Sequence, residues 1–339
     1  MGKYDKHICT TLEKIELQPG PTKEEKIMLA NEGWRIMMDH VLWLDADVLA
    51  GGYYGESAWI WPASYPNQIS PEELAKRTTP GPPMFPHYHE FPELLSWWGS
   101  DPDNPNDTST MGMIMGDEEI PLEGSWVGYI PAKMYHMPTR VPGGKVTDKP
   151  VFHWTAGPGM YTRDKDDGHN QEEKDADIPV PGRPKRDTQE NKKYFVMGGD
   201  QKEPPVKLDY MPDMDPKYYR HLAYIDETVV PDCEYGCNTM FLLPGNPSKG
   251  GMRVMEPHTL PYGTNITLVS LNYADVTDLC GEAELWIGGE KHIIRKNFGA
   301  YIPPGIEQGP LIVRDVEKQL FFSKCNPVGK GIEKFPGGK

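Results

Sequence analysis

Residues 81–99, GPPMFPHYHEFPELLSWWG, place two histidines and a carboxylate in a short alternating pattern. Side chains at positions i and i+2 of an extended strand point to the same face, so His87 and His89 are directed at one point in space. Glu93 keeps this parity if the strand continues through the kink expected at Pro92. Two imidazoles and one carboxylate form a mixed nitrogen and oxygen site for a divalent metal. A tight site needs a further ligand from elsewhere in the chain, and His136 is the best candidate.

Glu90 is the alternative carboxylate for this site. It directly follows His89, so in an extended strand its side chain points away from the face that carries both histidines. We therefore expect Glu93, rather than Glu90, to be the acidic ligand.

The composition is that of a globular chain of 339 residues with a formal net charge of −15. This acidic balance disfavours nucleic acid and membrane surfaces as partners, because both require a basic footprint. No apolar run approaches the roughly 20 residues of a membrane span, and the N-terminus lacks the apolar segment of a signal peptide. The five cysteines are sparse and odd in number, which is typical of reduced thiols. We therefore expect a cytoplasmic protein that acts on a small-molecule substrate.

Apolar, β-prone runs bounded by Gly, Asp and Pro occur in two groups, which predicts an all-β protein with two barrels. We place an N-terminal arm at residues 1–30, a metal-binding barrel at 31–162, a polar linker or excursion at 163–217, a second barrel at 218–326 and a tail at 327–339. The linker is assigned because residues 164–177 contain almost no apolar side chain and a proline-rich stretch follows.

The two groups of strands carry an internal repeat. Residues 116–120 (GDEEI) and 288–292 (GGEKH) are offset by 172 positions, and the same offset relates the Tyr-Ile-Pro sequences that begin at Tyr129 and Tyr301. The chain therefore has the pattern of a duplicated β domain.

The metal ligands are not repeated. At the same offset Gln308 takes the place of His136. The stretch around His258 falls where the histidine-rich segment would recur, but it lacks the paired ligands. We therefore expect one metal site, in the first copy only.

These motifs resemble those of the cupin superfamily in its two-domain, bicupin form. The first cupin motif has a glycine five residues before His-x-His, a glutamate three or four residues after it, and a second glycine six residues further on. Here Gly81, His87, His89 and Glu93 match the pattern, and Gly99 follows after five residues instead of six.

The second cupin motif reads Gly, five residues, Pro-x-Gly, two residues, His, three residues, Asn. Here Gly124 precedes Pro131 by one residue too many, and Lys133 replaces the glycine of the turn. His136 is retained, and Arg140 stands where asparagine is usual. The departures concern the geometry of turns rather than the ligands.

The resemblance implies a double-stranded β-helix, or jelly-roll barrel, that binds one metal through three histidines and a glutamate, followed by a metal-less barrel. The implied ligands are His87, His89, Glu93 and His136. Such a set leaves one or two open positions on an octahedral metal, which suits Mn²⁺ or Fe²⁺, with Zn²⁺, Ni²⁺ and Cu²⁺ as alternatives. Since cupins often pair through edge strands, the resemblance also implies a homo-oligomer.

Three residues near the motifs are candidates for proton transfer or substrate orientation. His153 lies on a predicted strand after the second motif and is a candidate general acid or base, or a partner of a metal ligand. Tyr135 and Arg140 flank His136 and are candidates for orienting a substrate. For each of the three, a purely structural role is the alternative.

Three functions are compatible with this pattern. The leading hypothesis is a redox-neutral metal enzyme acting on a small, oxygen-rich, enolisable substrate, for example by hydrolytic carbon–carbon cleavage of a linear or cyclic β-diketone, or by related lyase or isomerase chemistry. The second is an O₂-dependent dioxygenase, and the third is a non-enzymatic module that binds a sugar or another small ligand. We favour an enzyme because one half carries an apparently complete ligand set that the other half lacks.

Overall fold

The computed structural model describes residues 2–14, 37–61, 88–89, 91–141, 143–159, 188–245, 250–272 and 275–327. These residues form 20 β-strands and two short 3₁₀ turns, Asp5–His7 and Glu190–Tyr194. The predicted all-β class is confirmed. Within these ranges, no helix has the length and apolar character needed to cross a membrane.

The first barrel consists of a six-stranded and a three-stranded antiparallel sheet, with strand orders β10-β7-β4-β9-β3-β2 and β6-β5-β8. Its strands are β2 (Met37–Leu44), β3 (Tyr54–Trp61), β4 (Glu93–Gly99), β5 (Met111–Met115), β6 (Glu118–Leu122), β7 (Trp126–Ile130), β8 (His136–Arg140), β9 (Val151–Gly157) and β10 (Phe195–Met197).

The second barrel pairs a six-stranded sheet, β1-β18-β15-β20-β12-β11, with a five-stranded sheet, β13-β19-β16-β17, to which β14 adds through β19. Its strands are β1 (Ile8–Cys9), β11 (Tyr219–Ile225), β12 (Tyr235–Leu242), β13 (Met252–Met255), β14 (His258–Thr259), β15 (Thr264–Ser270), β16 (Asp278–Ile287), β17 (Glu290–Lys296), β18 (Phe298–Ile302), β19 (Glu307–Arg314) and β20 (Leu320–Pro327).

The strand orders show that the two barrels are copies of one plan. The six-stranded sheets match strand for strand. Taken in spatial order, the first barrel has β7, β4, β9, β3 and β2 where the second has β18, β15, β20, β12 and β11. Strand β7 (Trp126–Ile130) becomes β18 (Phe298–Ile302) at the offset found in the sequence. The internal repeat is therefore a repeat of structure.

The outermost strand of each six-stranded sheet comes from the chain segment that precedes the other barrel. Strand β1 lies ahead of the first barrel in sequence but pairs with β18 of the second. Strand β10 lies ahead of the second barrel, within the stretch assigned as a polar linker, but pairs with β7 of the first. Each barrel thus depends on a strand that its neighbour's flanking segment supplies.

The two six-stranded sheets pack face to face through a large aromatic cluster. Phe152 of β9 lies with its ring centroid 4.8 Å from that of Phe321 of β20, and Trp154 and Phe241 pack against the same ring at 6.1 and 6.4 Å. Because alternate residues of a strand face opposite ways, the other face of each sheet lines its own barrel. The inward residues of β3, β4 and β9 therefore share one interior.

The histidine-rich segment differs from the expected continuous strand. Tyr88 and His89 lie outside regular structure, and β4 begins only at Glu93. Pro92 explains the delay, because it has no amide hydrogen for the ladder and restricts the residue before it. Several segments on which the sequence analysis made predictions lie outside the described ranges. They are residues 81–87, Glu90, the acidic stretch 164–177 and the tail beyond residue 327.

The turn that leads into β8 keeps its geometry although the glycine of the second cupin motif is absent. Lys133 adopts a φ of 64°, which is the left-handed region where a side chain is disfavoured. The equivalent position of the second barrel is Gly305, with a φ of 75°. The Lys133 amide donates a hydrogen bond of 2.6 Å to the His89 carbonyl, so this strained turn fixes the backbone beside a candidate ligand.

We expect Lys133→Gly to increase the free energy of unfolding by about 1 kcal/mol, because it relieves the left-handed strain. Chemical denaturation measures the change. The matched control is Gly305→Ala, which introduces the same strain into the second barrel and should destabilise by a similar amount. An unchanged or lower stability of Lys133→Gly would show that contacts of the lysine outweigh the strain.

Candidate metal centre

Three of the expected ligands converge at one end of the first barrel. The Nε2 atoms of His89 and His136 lie 3.4 and 3.3 Å from Oε2 of Glu93. All three residues are buried, and one ligand atom from each lies within 4.8 Å of the others. They come from the segment before β4, from its first residue and from the first residue of β8, which belongs to the other sheet, so closure of the two sheets into a barrel brings them together.

A hydrogen bond orients the imidazole of His136, and a ring stack orients that of His89. The Nδ1 atom of His136 lies 2.9 Å from the Met134 carbonyl, to which it must donate, so in the neutral ring Nε2 carries the lone pair and faces Glu93. The ring of His89 stacks on Phe91 at 4.8 Å with an interplanar angle of 7°. Both rings are therefore held in orientation before any metal binds.

The carboxylate of Glu93 is held ionised. Burial by itself would raise its pKa, but the adjacent His89 and His136 lower it well below the ordinary value. The single hydrogen of the Thr155 hydroxyl is shared between Oε1 of Glu93 at 3.0 Å and the Leu94 carbonyl oxygen at 2.6 Å, and Oε2 of Glu93 faces the histidines. Two nitrogen donors and one anionic oxygen in a buried cluster fit a divalent transition metal.

The structure describes only some of the other expected site residues. His87 and Glu90 lie outside the described residues, as does the side chain of Arg140. Tyr135 is half-buried, its ring lies 6.1 Å from that of Tyr88, and its carbonyl accepts a hydrogen bond from Gly116. The proposed roles of these residues stay predictions.

His153 faces the same interior, deeper than the three converging ligands. It is paired in register with Trp97 of β4, whose ring lies 4.8 Å away, and its Nδ1 donates to the Ser96 carbonyl at 2.9 Å. Burial lowers the pKa of His153, although Glu56 and Glu93 oppose the effect. The imidazole is therefore neutral at neutral pH.

Sequence analysis missed a second buried pair in this interior. His40 on β2 and Glu56 on β3 approach to 2.6 Å between Nε2 and Oε1, and the Tyr54 hydroxyl donates to Oε2 of Glu56 at 2.7 Å. Burial would raise the pKa of Glu56, but His40 lowers it overall. Glu56 is paired in register with Thr155, which contacts Glu93, so Glu56 lies two strands from Glu93 with β9 between them.

The sequence contains a signal for this pair, but it can be interpreted only when the strand pairing of β3 is known. Glu56 interrupts the apolar strand Tyr54–Trp61 on the parity that faces the barrel interior. A charged residue at such a position is rarely buried without a partner. Its partner lies on another strand, which periodicity alone does not identify.

A further histidine and carboxylate cluster lies on the surface of the second barrel, where Asp5, Glu290 and His292 meet. Both carboxylates already accept backbone hydrogen bonds, Asp5 from Gly2 and Glu290 from Lys3 at 3.0 Å. These contacts hold the N-terminal segment against β17, which accounts for the cluster without a metal.

The interior of the second barrel lacks the first barrel's ligands among the described residues. Gln308 stands at the position of His136 and donates to the Thr264 hydroxyl at 3.0 Å. Thr264 in turn stands at the position of Glu93, since each is paired with the isoleucine of a Tyr-Ile-Pro sequence. That only the first barrel binds a metal stays a prediction.

Neither a protein-family model nor a curated protein matches the sequence. Among solved structures, the chain is similar to oxalate decarboxylase of Bacillus subtilis, with 12% identity and a TM-score of 0.45 over 87% of this chain and 73% of that one. That decarboxylase contains Mn(II) centres. AerE from Microcystis aeruginosa is similar at 8% identity and a TM-score of 0.39, over 82% of this chain and 88% of the other.

The fold itself rests on the strand order and the repeat, which are independent of these similarities. Two antiparallel barrels in one chain share a strand order, and a repeated Tyr-Ile-Pro sequence occupies the same strand in both. The fold is a pair of antiparallel β-barrels with one strand plan, which agrees with the expected two-barrel architecture. The candidate metal centre lies in the first barrel.

We expect His136→Gln, which copies the second barrel's residue, to weaken metal binding by more than about 100-fold, because loss of a ligand exceeds the usual effect of losing a ligand's hydrogen-bond partner. Metal content of the purified protein and competition with a chelator measure the change. The matched control, His258→Gln, should leave metal content unchanged. Full metal content in His136→Gln would exclude this centre.

We expect His153 to make stability depend on pH. Its pKa is lower in the folded protein than the ordinary value of 6.5, so below pH 6.5 the unfolded chain binds more protons and the folded state loses stability as pH falls. His153→Gln should therefore lose less stability on acidification, by about 1 kcal/mol per pH unit below 6.5. Denaturation curves between neutral and mildly acidic pH compare the slopes, and parallel slopes would contradict a buried neutral imidazole.

Proposed function

We propose that this two-barrel protein is a metal-dependent enzyme that cleaves a small β-diketone hydrolytically between carbon atoms. The carrying observation is that a buried, ionised carboxylate and histidine pair lies beside a buried set of metal ligands in one interior. The histidine and carboxylate pair can accept a proton, and a metal held by the ligands can bind the two oxygens of a 1,3-dicarbonyl substrate. Its cytoplasmic location and homo-oligomeric assembly stay predictions.

The ligands proposed for the metal are His87, His89, Glu93 and His136, with Mn²⁺ or Fe²⁺ as the leading choice. When bound, the metal supplies a Lewis acid that polarises the carbonyl oxygens of a 1,3-dicarbonyl compound. Thr155 keeps one carboxylate oxygen of Glu93 occupied, so that the other is available to the metal.

The proton chemistry is assigned to the Glu56 and His40 pair. Hydrolysis adds water to one carbonyl carbon, breaks the bond from that carbon to the central carbon, and leaves a carboxylic acid and a methyl ketone. The pair takes up one proton as water adds and returns it to the released carbon. A histidine oriented by a carboxylate is suited to this exchange, and Nδ1 of His40 has no hydrogen-bond partner among the described residues.

The surrounding walls favour this chemistry by limiting access of water. The rings of Trp97 and Trp126 stack at 5.7 Å with an interplanar angle of 11°, directly beside His153. The neutral imidazole of His153, which donates to the Ser96 carbonyl and packs against Trp97, is part of the same wall and has no proton-transfer role in this proposal. Low polarity around the pair strengthens each of these electrostatic contacts.

Acetylacetone is the test substrate, because it is the smallest symmetrical β-diketone. We expect metal-loaded protein to convert it to equal amounts of acetate and acetone without O₂, as measured by NMR of the products. Glu56→Gln should lower kcat by about 100-fold or more while metal content is kept.

The matched control for Glu56→Gln is His221→Gln, which alters the equivalent pair of the second barrel and should leave kcat unchanged. Consumption of one O₂ per substrate would overturn the redox-neutral proposal in favour of a dioxygenase. Substrate binding without turnover would instead support a binding module. Full activity of Glu56→Gln would remove the pair from the chemistry.

A further inference from the structure

The interior of the second barrel contains a buried lysine that has no acidic partner among the described residues. Lys324 on β20 has 1% of its surface exposed. Its Nζ donates to Oδ1 of Asn326 at 2.9 Å and lies 4.3 Å from the ring centroid of Tyr210. Within the described residues no carboxylate forms an ion pair with it, and burial lowers its pKa to about 7. A buried amine of this kind needs an explanation, because burying a charge without a counter-charge is costly.

The register of the two barrels shows what Lys324 replaces. Thr264 holds in β15 the position that Glu93 holds in β4. Two residues further on, Ile266 of β15 pairs with Lys324 of β20, as Leu95 of β4 pairs with Thr155 of β9. Lys324 therefore takes the position of Thr155, the residue that contacts Glu93. The ammonium group therefore lies on the inward face at the level of the first barrel's metal ligands.

The carboxylates of the first barrel are replaced as well. Asn238 on β12 is paired in register with Lys324, as Glu56 is paired with Thr155. The His40 and Glu56 pair becomes His221 and Asn238, whose Nε2 and Oδ1 lie 3.1 Å apart. At the compared positions the first barrel has two carboxylates, Glu93 and Glu56, and suits a cation, whereas the second has one amine and no carboxylate and suits an anion.

Two acceptor atoms in the same interior have no partner among the described residues. They are Oε1 of Gln308, a residue with 1% of its surface exposed, and Nε2 of His258. His258 donates from Nδ1 to the Glu256 carbonyl at 2.8 Å, so Nε2 carries a lone pair. Gln308 and His258 face each other in register, and the His258 ring stacks on Tyr210 at 5.3 Å. A ligand with a hydroxyl hydrogen would satisfy either acceptor.

We propose that the second barrel is a metal-independent binding site for a small hydroxycarboxylate anion. Lys324 supplies the counter-charge for the carboxylate, and either Gln308 or His258 accepts the one hydrogen bond that the hydroxyl group donates. The site lies at the second barrel's counterpart of the metal centre, and an ammonium group takes the electrostatic place of the metal. This assignment does not depend on the reaction of the first barrel.

The charge of Lys324 makes binding depend on pH. The titratable groups around it are Tyr210, His258, His221, Cys237 and Cys325. Burial raises the pKa of Tyr210 and Cys237, lowers the pKa of His221 and lowers that of His258 to about 4. Since the anion binds the protonated lysine, its affinity should fall about tenfold for each pH unit above 7.

Isothermal titration of full-length Glu93→Gln with glycolate tests the site, because this variant removes the metal centre as a competing site for a hydroxy acid. We expect one glycolate to bind per chain and glycolamide, its neutral isostere, to bind at least about tenfold more weakly. Adding Lys324→Met should weaken glycolate binding by a similar factor. Removal of metal with a chelator should have no effect.

Thermal denaturation distinguishes a binding role of Lys324 from a structural one. Without ligand, Lys324→Met should have an equal or higher Tm than its parent, because a similar volume is kept and an uncompensated amine is removed. Glycolate should raise the Tm of the parent and not that of the variant. No glycolate binding, equal binding of glycolamide, equal binding by Lys324→Met, or a lower Tm of this variant without ligand would each overturn the proposal.

Discussion

The arrangement of the first barrel depends on keeping Glu93 ionised in an interior from which water is excluded. A buried carboxylate is stable as an anion only when nearby donors and positive charge compensate for lost hydration. His89, His136 and Thr155 provide that compensation from three separate places in the chain. The strained turn at Lys133 is tolerated in this setting, because its amide fixes the backbone of His89.

The six-stranded sheet of the first barrel places several of the residues around Glu93. Inward positions of neighbouring strands lie side by side, so Glu56 of β3 faces Thr155 of β9 in register. Thr155 reaches Glu93 of β4 diagonally, since its register partner on β4 is Leu95. The opposite face of the same sheet is aromatic and packs against the second barrel. One sheet therefore serves both the site and the interface, and a shift of one residue in register would exchange the two faces.

The sequence was sufficient for the features that local pattern controls. The all-β class, the repeat and the inward direction of Glu93 follow from alternation and from spacing. The convergence of His89, Glu93 and His136 followed from the motifs. The continuous histidine-rich strand was wrong over Tyr88 and His89, because Pro92 delays the start of the ladder.

Other features could not be read from the sequence because they depend on register between distant strands. His40 and Glu56 lie on strands whose partners periodicity does not name, and their contact appears only when β2 pairs with β3. The place of Lys324 was hidden for a related reason. A shift of 172 positions aligns His136 with Gln308, whereas Thr155 and Lys324 are 169 positions apart, so one fixed offset does not align both strands.

Once the strands are aligned by their hydrogen bonds, the difference between the two barrels becomes electrostatic. Duplication preserved the backbone plan, and hydrophobic positions on both faces still serve the same packing. Near the counterpart of the metal centre, however, Glu93 and Glu56 became Thr264 and Asn238, and Thr155 became Lys324. Loss of ligands alone would have been compatible with an apolar filling of the second interior. The retention of a buried amine, an amide and an imidazole there instead indicates that polarity of the opposite sign was kept at the same place in the fold.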